Sequence, residues 1–598
     1  MFGIFSSICF VGTLTYLLGI FGILKWSSII YLLFCFGILL KVQASKLPRF
    51  KLVSLGVLSI LSYIWLKAIP ADFRFVNWDE FVSWGPNIKS LTIDNSLYTN
   101  FGSNGAMGGG YKGYPPGQQI LQYLLVSKIG WSEQHVIWAQ GLVLVILFLF
   151  VIETELSSLK LKKYLFLIPA VTMFYWLGYS FTTIYADGLI GVFGLAVYSL
   201  TKEVLKSSEK KILITLISPY ALLVLIRPNG FCIALLVLTL SACQVLVNSK
   251  TNNIKLRKKS NISTLPSVAK KVIVAFLTIA LTVLSWQIYV KKHSLLSLGF
   301  SIDIPTQKMD RFTTTIEVFE KQLISYKVVL GVPSTEIYLH LNYMLLLICM
   351  IILQIGISLY LVLKKDVYHA ISISLLTLAG FVYFIFIFML YYFSSDAYER
   401  SNGGSITRYL GSFFIIIILA ILFEGVKLLD QTKYASSFII PLLILQFILP
   451  TGQMQVDFTR ATPNADLLKG RLKIEEQANA VSKYLKKGDR VYYLVQGDMG
   501  YSKNVFGYLT MPNEVNWWCW SVGDPVFKGD IWTCDKNTYS QIKTYQYLVL
   551  GHNDGQITID NFSNMLTKSS KQVLPEGIYR ILNKDNSNTN LLKLEEFK

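Results

Sequence analysis

The sequence predicts an all-α polytopic membrane protein followed by a C-terminal α/β domain. Three observations carry that prediction: long apolar runs without charge, basic residues held in the gaps between those runs, and a polar, strand-bearing character after about residue 452. The chain has 598 residues, 53% of them hydrophobic, and a mean hydropathy of +0.48. Leu142–Ile152, Val272–Val290, Tyr343–Leu363 and Phe413–Phe423 contain no charged residue. Lipid offers the backbone no hydrogen-bond partner, so runs of this kind satisfy themselves as helices. The net charge of +19 is spread over the gaps, which reads as membrane topology and argues against a nucleic-acid face. The cysteines show no metal-ligand spacing, and Cys9, Cys35, Cys232, Cys243 and Cys349 lie inside apolar runs as packing or lipid-facing residues.

In chain order, about 13 transmembrane helices fall near residues 3–24, 27–42, 52–70, 135–153, 164–181, 188–202, 212–226, 231–248, 271–290, 341–363, 369–393, 409–425 and 435–451. The first lacks a basic leader and a small-residue cleavage site, so it reads as a span and not as a signal peptide. One set of connecting segments is short and Lys-rich: Lys41–Lys51, Lys160–Lys163, Lys202–Lys211, Lys250–Lys271 and Lys364–Lys365. The positive-inside rule places these, with the N-terminus, in the cytoplasm, and an odd number of spans then puts the C-terminal region outside. The other set holds the unusual chemistry: 71–134, the turn around Asp187, Arg227-Pro228-Asn229-Gly230, 291–340 and 394–408. All of it falls on the outer face by the same count.

The expected division is a membrane domain over residues 1–451, with a catalytic outer loop at 71–134, and an extracytoplasmic soluble α/β domain over 452–598. Within the latter the pattern predicts a helix at Leu472–Leu485 and strands at Arg490–Val495, Tyr545–Gly551 and Gly577–Leu582. Cys519 and Cys534 lie on the side where disulfides form, and the sequence leaves their pairing open.

Loop 71–134 reads Asn77-Trp78-Asp79-Glu80-Phe81-Val82-Ser83-Trp84-Gly85-Pro86, then a Gly-rich stretch at 102–113, then Tyr114-Pro115-Pro116-Gly117-Gln118-Gln119. Two carboxylates among aromatic rings at a membrane boundary are suited to proton abstraction from a hydroxyl, and Trp78 and Trp84 are suited to anchor at headgroup level or to stack on a sugar. The alternative is that Asp79-Glu80 caps an interfacial helix over 80–91 and that Tyr-Pro-Pro-Gly is only a turn.

The order Trp78-Asp79-Glu80-x-x-x-Trp84-Gly85, Gly-rich loop, Tyr114-Pro115-Pro116 leading into Leu121-Gln122-Tyr123-Leu124 resembles bacterial members of the GT-C superfamily, the relatives of protein mannosyltransferases and aminoarabinose transferases. Tyr185-Ala186-Asp187, Arg227-Pro228-Asn229-Gly230 and Ser405-Ile406-Thr407-Arg408-Tyr409 resemble the superfamily as well, so the likeness covers about residues 50–450. It implies a polyprenyl-phosphate sugar, or its diphosphate equivalent, as donor. It also implies an acidic residue of the first outer loop as catalytic base or acceptor-orienting group; by position this is Asp79, with Glu80 as helper. Two extra spans precede that loop relative to simpler relatives, and the C-terminal domain matches no module of assignable role.

Among the remaining candidates, Asp187 opens a span, where an ionisable group costs roughly 2.5–3.5 kcal/mol and so requires a partner. It either caps the helix or orients the acceptor, alone or through a divalent ion shared with Asp79. Arg227 and Arg408, the latter next to Tyr409, are suited to clamp a lipid phosphate through the guanidinium fork, or else snorkel to the interface. Lys291, Lys292 and His293, with Lys308 and Arg311, form a basic outer cluster that either embraces an anion or lies on a solvated amphipathic helix. No P-loop, dinucleotide fingerprint or H-E-x-x-H occurs, which accords with a donor carried on lipid and leaves any divalent metal unassigned.

The reading is therefore a bacterial multi-pass cell-membrane glycosyltransferase for cell-wall or cell-surface polysaccharide. It would transfer a sugar from a polyprenyl-phosphate donor to a hydroxyl on a glycan, glycolipid or protein, with inversion. The rivals are a lipid-linked-glycan flippase or transporter, whose sites tend to sit at the midplane between repeats, and a non-catalytic membrane subunit.

Overall fold

The computed structural model describes residues 1–27, 49–99, 112–207, 214–255, 264–295, 308–325, 327–330, 339–393, 403–430, 454, 457–458, 464–526, 530, 532–535, 538–553, 574–582 and 590–597. They form two compact units: residues 1–72, 114–289 and 298–461 make the first, and 73–113, 290–297 and 462–598 the second. The sequence places the loop 71–134 with the membrane helices. The contacts instead group residues 73–113 with the C-terminal region.

The first unit is a bundle of apolar helices, and the fold class is the polytopic membrane class predicted. Among the described residues eight helices are long and apolar enough to cross a bilayer. They are α1 (Phe2–Ile20), α2 (Glu133–Glu155), α3 (Ala186–Lys206), α4 (Gly230–Lys255), α5 (Thr264–Lys292), α6 (Tyr343–Leu363), α7 (Val367–Phe393) and α8 (Ile406–Asp430). Val53–Ala68 and Thr215–Ile226 are shorter apolar helices. The expected spans at 27–42 and 435–451 lie outside the described residues. The expected span at 164–181 is corrected: the segment folds as a 3-10 helix, Ser157–Phe166, and a ten-residue α-helix, Leu167–Trp176. At 1.5 Å per residue that helix covers about half of the hydrocarbon thickness.

Burial sorts the spans. The α3 helix is buried on nearly every side, whereas α6 turns Ile348, Ile352, Leu353, Ile355 and Leu359 outward. Exposed apolar surface of that kind is what lipid covers. Small residues set the approach of α3 to α8, since a Cβ on Gly191 would meet the Ser412 carbonyl oxygen at 2.7 Å. At the C-terminal ends of α2, α3 and α8 a charged network ties the bundle together. Glu155 pairs with Lys202 (2.8 Å) and Lys427 (2.9 Å), Lys427 with Glu424 (2.9 Å), and Glu424 with His369 of α7 (3.2 Å).

The second unit is built on a mixed sheet of order β4-β3-β7-β8-β9: Glu514–Val515, Arg490–Val495, Tyr547–His552, Gly577–Leu582 and Asn590–Glu596. The β3 strand pairs parallel with β4 and β7, and β8 runs antiparallel to both β7 and β9. Because β3 is central and covered on both faces, it reads as an unbroken apolar run, and its bounds are those predicted. Helices α9 (Ala465–Ser482) and α10 (Tyr501–Thr510) complete the unit. Tyr493 of β3 stacks on Phe506 of α10 at 4.1 Å. Cys519 and Cys534 form a disulfide, which settles the pairing left open by the sequence.

Lys503 is buried in the first turn of α10, where the helix dipole opposes a cation. Burial pushes its ammonium down to about 8, with Asp498 pulling in the opposite direction. Between that value and the ordinary lysine value of about 10.4, the unfolded chain holds a proton that the folded chain has released, so stability rises with pH across this window. Urea unfolding of the second unit, followed by hydrogen exchange in β3, is expected to show this rise in the wild type but not in Lys503→Met. Identical pH dependence in the two proteins would contradict the burial assigned to Lys503.

Candidate functional site

The predicted site residues divide between the two units: Tyr114, Asp187, Arg227, Arg408 and Tyr409 in the first, and Trp78, Asp79, Glu80, Trp84, Lys291, Lys292 and His293 in the second.

In the first unit, Asp187 lies in the first turn of α3, Arg227 in the loop before α4, and Arg408 in the first turn of α8. Arg227 forms an ion pair with Asp187, with side-chain exposures of 7% and 1%. Arg408 Nη1 lies 4.0 Å from the other carboxylate oxygen and is the more open arginine, 24% exposed. Each guanidinium also rests over an aromatic face, Arg227 at 4.6 Å from the Tyr409 ring centre and Arg408 at 4.8 Å from that of Tyr185. Tyr114 lies within electrostatic reach of Arg227. Carboxylate, two forks and tyrosine rings thus form one cluster at one end of the bundle. Beside it is a cavity of about 20 Å³ whose lining includes Gln140, Tyr185, Asp187 and Arg408.

Backbone contacts hold this cluster in place. The Tyr179 hydroxyl donates to the Arg408 carbonyl (2.7 Å), the Tyr383 hydroxyl donates to the Tyr409 carbonyl (3.0 Å), and Asn229 Nδ2 donates to the Tyr383 hydroxyl (3.1 Å). The Tyr-Pro-Pro-Gly-Gln motif is more than a turn. A Cβ on Gly117 would sit 2.6 Å from the carbonyl carbon of Leu225, so only glycine lets this helix start touch the backbone leading to Arg227. Its neighbour Gln118 donates from Nε2 to the Ile184 carbonyl (2.5 Å), three residues before Asp187. One motif therefore sets the approach to two members of the cluster.

In the second unit, Asp79 is partly exposed and stands directly before a π-helical turn, Glu80–Trp84, which continues into the α-helix Gly85–Asp94. Turns of this type are rare and recur at functional sites. Glu80 is buried, and its Oε2 accepts hydrogen bonds from Val76 N (2.9 Å), Asn77 N (2.8 Å) and Asn77 Nδ2 (3.2 Å). It therefore folds the loop that presents Asp79. The C-terminal region grips the same loop: Arg471 Nη1 donates to the Phe75 carbonyl (2.7 Å) and the Tyr501 hydroxyl donates to the Val76 carbonyl (2.8 Å). Trp78 is 38% exposed and lies 6.3 Å from Tyr501. Trp84, by contrast, is buried, 2% exposed, and packs within the loop.

No family model matches the chain, and no curated protein matches it by sequence. Among the solved structures that align with most of it are two of one protein. One is ArnT from Cupriavidus metallidurans bound to undecaprenyl phosphate, at 12% identity, covering 87% of this chain and 95% of that chain with a TM-score of 0.42. The other is the same protein in the apo state, at 11% identity, covering 86% and 94% with a TM-score of 0.43. Likeness at this level carries no functional argument.

Lys291 and Lys292 are exposed in the last turn of α5, and burial with the adjacent Lys292 lowers the pKa of His293. Lys308 and Arg311 belong to a separate helix, Lys308–Ser325. Among the described residues no group of three or more His, Cys, Asp or Glu side chains is gathered for a metal. One buried acid escaped the sequence reading. Asp457 accepts hydrogen bonds from Tyr175 (2.7 Å), Ser180 (2.6 Å) and Thr182 (3.1 Å), and Ser180 also lines the cavity beside Asp187. Its partners lie 275 to 282 residues away in the chain, a separation no local pattern reveals.

Asp187→Asn removes the carboxylate that holds a buried arginine, and breaking such a pair costs about 3–5 kcal/mol. Thermal unfolding in detergent is expected to fall markedly for Asp187→Asn and to recover in part in Asp187→Asn/Arg227→Gln. An unchanged midpoint in the single variant would remove the pair from the structural account.

Proposed function

We propose that this protein is a GT-C-type membrane glycosyltransferase that moves a sugar from a polyprenyl-phosphate donor to an acceptor hydroxyl on the outer face of the cell membrane. The observation that carries the reading is the Asp187–Arg227–Arg408 cluster at one end of a membrane bundle. A guanidinium fork matches phosphate geometry and stays charged where the dielectric is low. Arg408, the more open of the two arginines, takes the donor phosphate, and Arg227, fixed by Asp187 and Tyr409, supports it. The order of motifs shared with the superfamily points the same way.

Asp79 is the base. Its loop is shaped by Glu80, which thereby acts as a positioning group and not as a second proton acceptor. The acceptor oxygen attacks the anomeric carbon and its proton passes to the Asp79 carboxylate. The bond from the anomeric carbon to the phosphate oxygen breaks, and polyprenyl phosphate leaves with the electron pair. A single displacement inverts the anomeric centre. Arg408 stabilises the charge developing on the departing phosphate. Asp187 with Arg227 and Glu155 with Lys202 and Lys427 form ion pairs at helix ends, and this arrangement favours transfer over the flippase alternative.

Asp79→Asn is expected to lower transfer about 10² to 10⁴-fold, the usual worth of a positioned base, while donor binding persists. Arg408→Ala is expected to weaken donor binding about ten-fold or more, the value of a lost charge-assisted hydrogen bond. Both are read with purified protein in nanodiscs and a polyprenyl-phosphate sugar. Undiminished transfer by Asp79→Asn would remove the base assignment.

A further inference from the structure

The second unit carries a surface that the transferase reading does not use. Residues 517–520 read Trp-Trp-Cys-Trp, and Trp532 returns to meet them. Trp520 and Trp532 stack at 5.2 Å, and Trp518 packs edge-on to Trp520 at 5.6 Å and against Trp532 at 5.1 Å. Yet Trp517 and Trp518 remain 39% and 42% exposed. A soluble domain gains by burying indoles, so two exposed ones side by side on an ordered turn mark a binding surface.

The surface is rigid. The Cys519–Cys534 disulfide closes its base, and short strands β5 (Ser521–Val522) and β6 (Thr533–Cys534) pair parallel beneath it. The Trp520 indole N–H donates to the Asp498 carbonyl (2.8 Å), and the Val495 N–H donates to the Trp520 carbonyl (2.7 Å). The Lys503 ammonium lies 4.8 Å from the Trp517 ring centre. Rings held this way offer their faces with little loss of rotamer entropy on binding.

The surface is also continuous with the acidic loop. A Cβ on Gly500 would lie 3.0 Å from the Trp520 ring and 3.2 Å from the Trp78 ring, so both indoles close over this one residue. Its φ of +102° suits glycine as well. Trp78 is the residue before Asp79.

Charge selects the occupant. Residues 517–535 carry Asp524, Asp530 and Asp535 against one lysine of their own, Lys528, with Lys503 standing against the Trp517 ring; Asp530 is taken up by Val526, Trp532 and Thr533, and Asp524 is exposed. Membrane-surface segments carry Lys and Arg in excess on their polar side and are drawn to anionic headgroups, and this segment has no such excess. A sugar chain meets both features: the C–H faces of its rings lie against the electron-rich indole faces, and its hydroxyls donate to an exposed carboxylate such as Asp524.

We propose that the exposed Trp517–Trp518 surface, backed by Trp520 and Trp532, binds a hydroxyl-rich glycan chain and, through Trp78, leads it to Asp79. The binding stands on the surface itself; its role as the seat of the acceptor rests on the transferase reading.

The test uses full-length protein in nanodiscs without donor lipid, titrated with chitohexaose, maltohexaose and cellohexaose and followed by calorimetry. At least one hexasaccharide is expected to bind. Trp517→Ala/Trp518→Ala is expected to weaken that binding about ten-fold or more, the usual cost of truncating anchoring tryptophans, and Trp518→Phe to restore part of it with the unit folded. A parallel arm replaces the lipid with dibrominated phosphatidylcholine. Absence of hexasaccharide binding by the wild type, equal binding by the double variant, or quenching of these tryptophans by the brominated chains would each overturn the proposal. Loss of all transfer activity with hexasaccharide binding intact would instead strike the transferase reading and leave the surface standing.

Discussion

A carboxylate in the first turn of a helix buried inside a membrane bundle is stable only with a cation against it, and the site of this protein is organised around that requirement. Asp187 meets it with Arg227 and, more loosely, with Arg408. Satisfying one buried charge brings the loop before α4 and the start of α8 to the head of α3. The same step fixes two guanidinium forks at a common point. The cost of charge in a low-dielectric setting thus becomes a geometric constraint, and Gly117, Gln118, Tyr179 and Tyr383 are the small adjustments that let the backbone comply.

The far ends of the same helices obey the same rule with a different result. Glu155, Lys202, Glu424 and Lys427 bind one another in a network that staples the bundle and borders a cavity of about 270 Å³. At the Asp187 end, tyrosine rings and a small cavity adjoin the ions, and Arg408 is partly exposed. In the second unit the division of labour is sharper still. Glu80 is consumed by backbone N–H groups so that Asp79, its neighbour, is left at the surface of a stiff turn. The C-terminal region, whose role the sequence did not assign, grips that turn through Arg471 and Tyr501.

How much of this could be read in advance followed from the range of the interactions. Membrane helices are legible because lipid imposes a long uncharged run, and strand β3 is legible because a strand covered on both faces becomes a continuous apolar run. The segment 164–181 misled because its apolar length suffices for a span, while the chain kinks at Lys160, which has φ +50°, and the helix ends by Trp176. Asp187, Arg227 and Arg408 stood out singly as charges at membrane depth, but their assembly depended on contacts across the chain. Trp84 and Trp78 look alike in sequence, six residues apart, and only packing sends one ring inward and leaves the other at the surface. Asp457 left no local trace at all.

The proposed chemistry turns on transfer of an anomeric carbon. The direct test gives purified protein in nanodiscs a polyprenyl-phosphate sugar ¹³C-labelled at that carbon, together with a glycan acceptor, and follows the label by NMR. The label is expected to leave the lipid phosphate and to appear in a new glycosidic bond of opposite anomeric configuration. Label that remains on the lipid in the presence of acceptor, or that crosses the bilayer still attached to its phosphate, would contradict that chemistry.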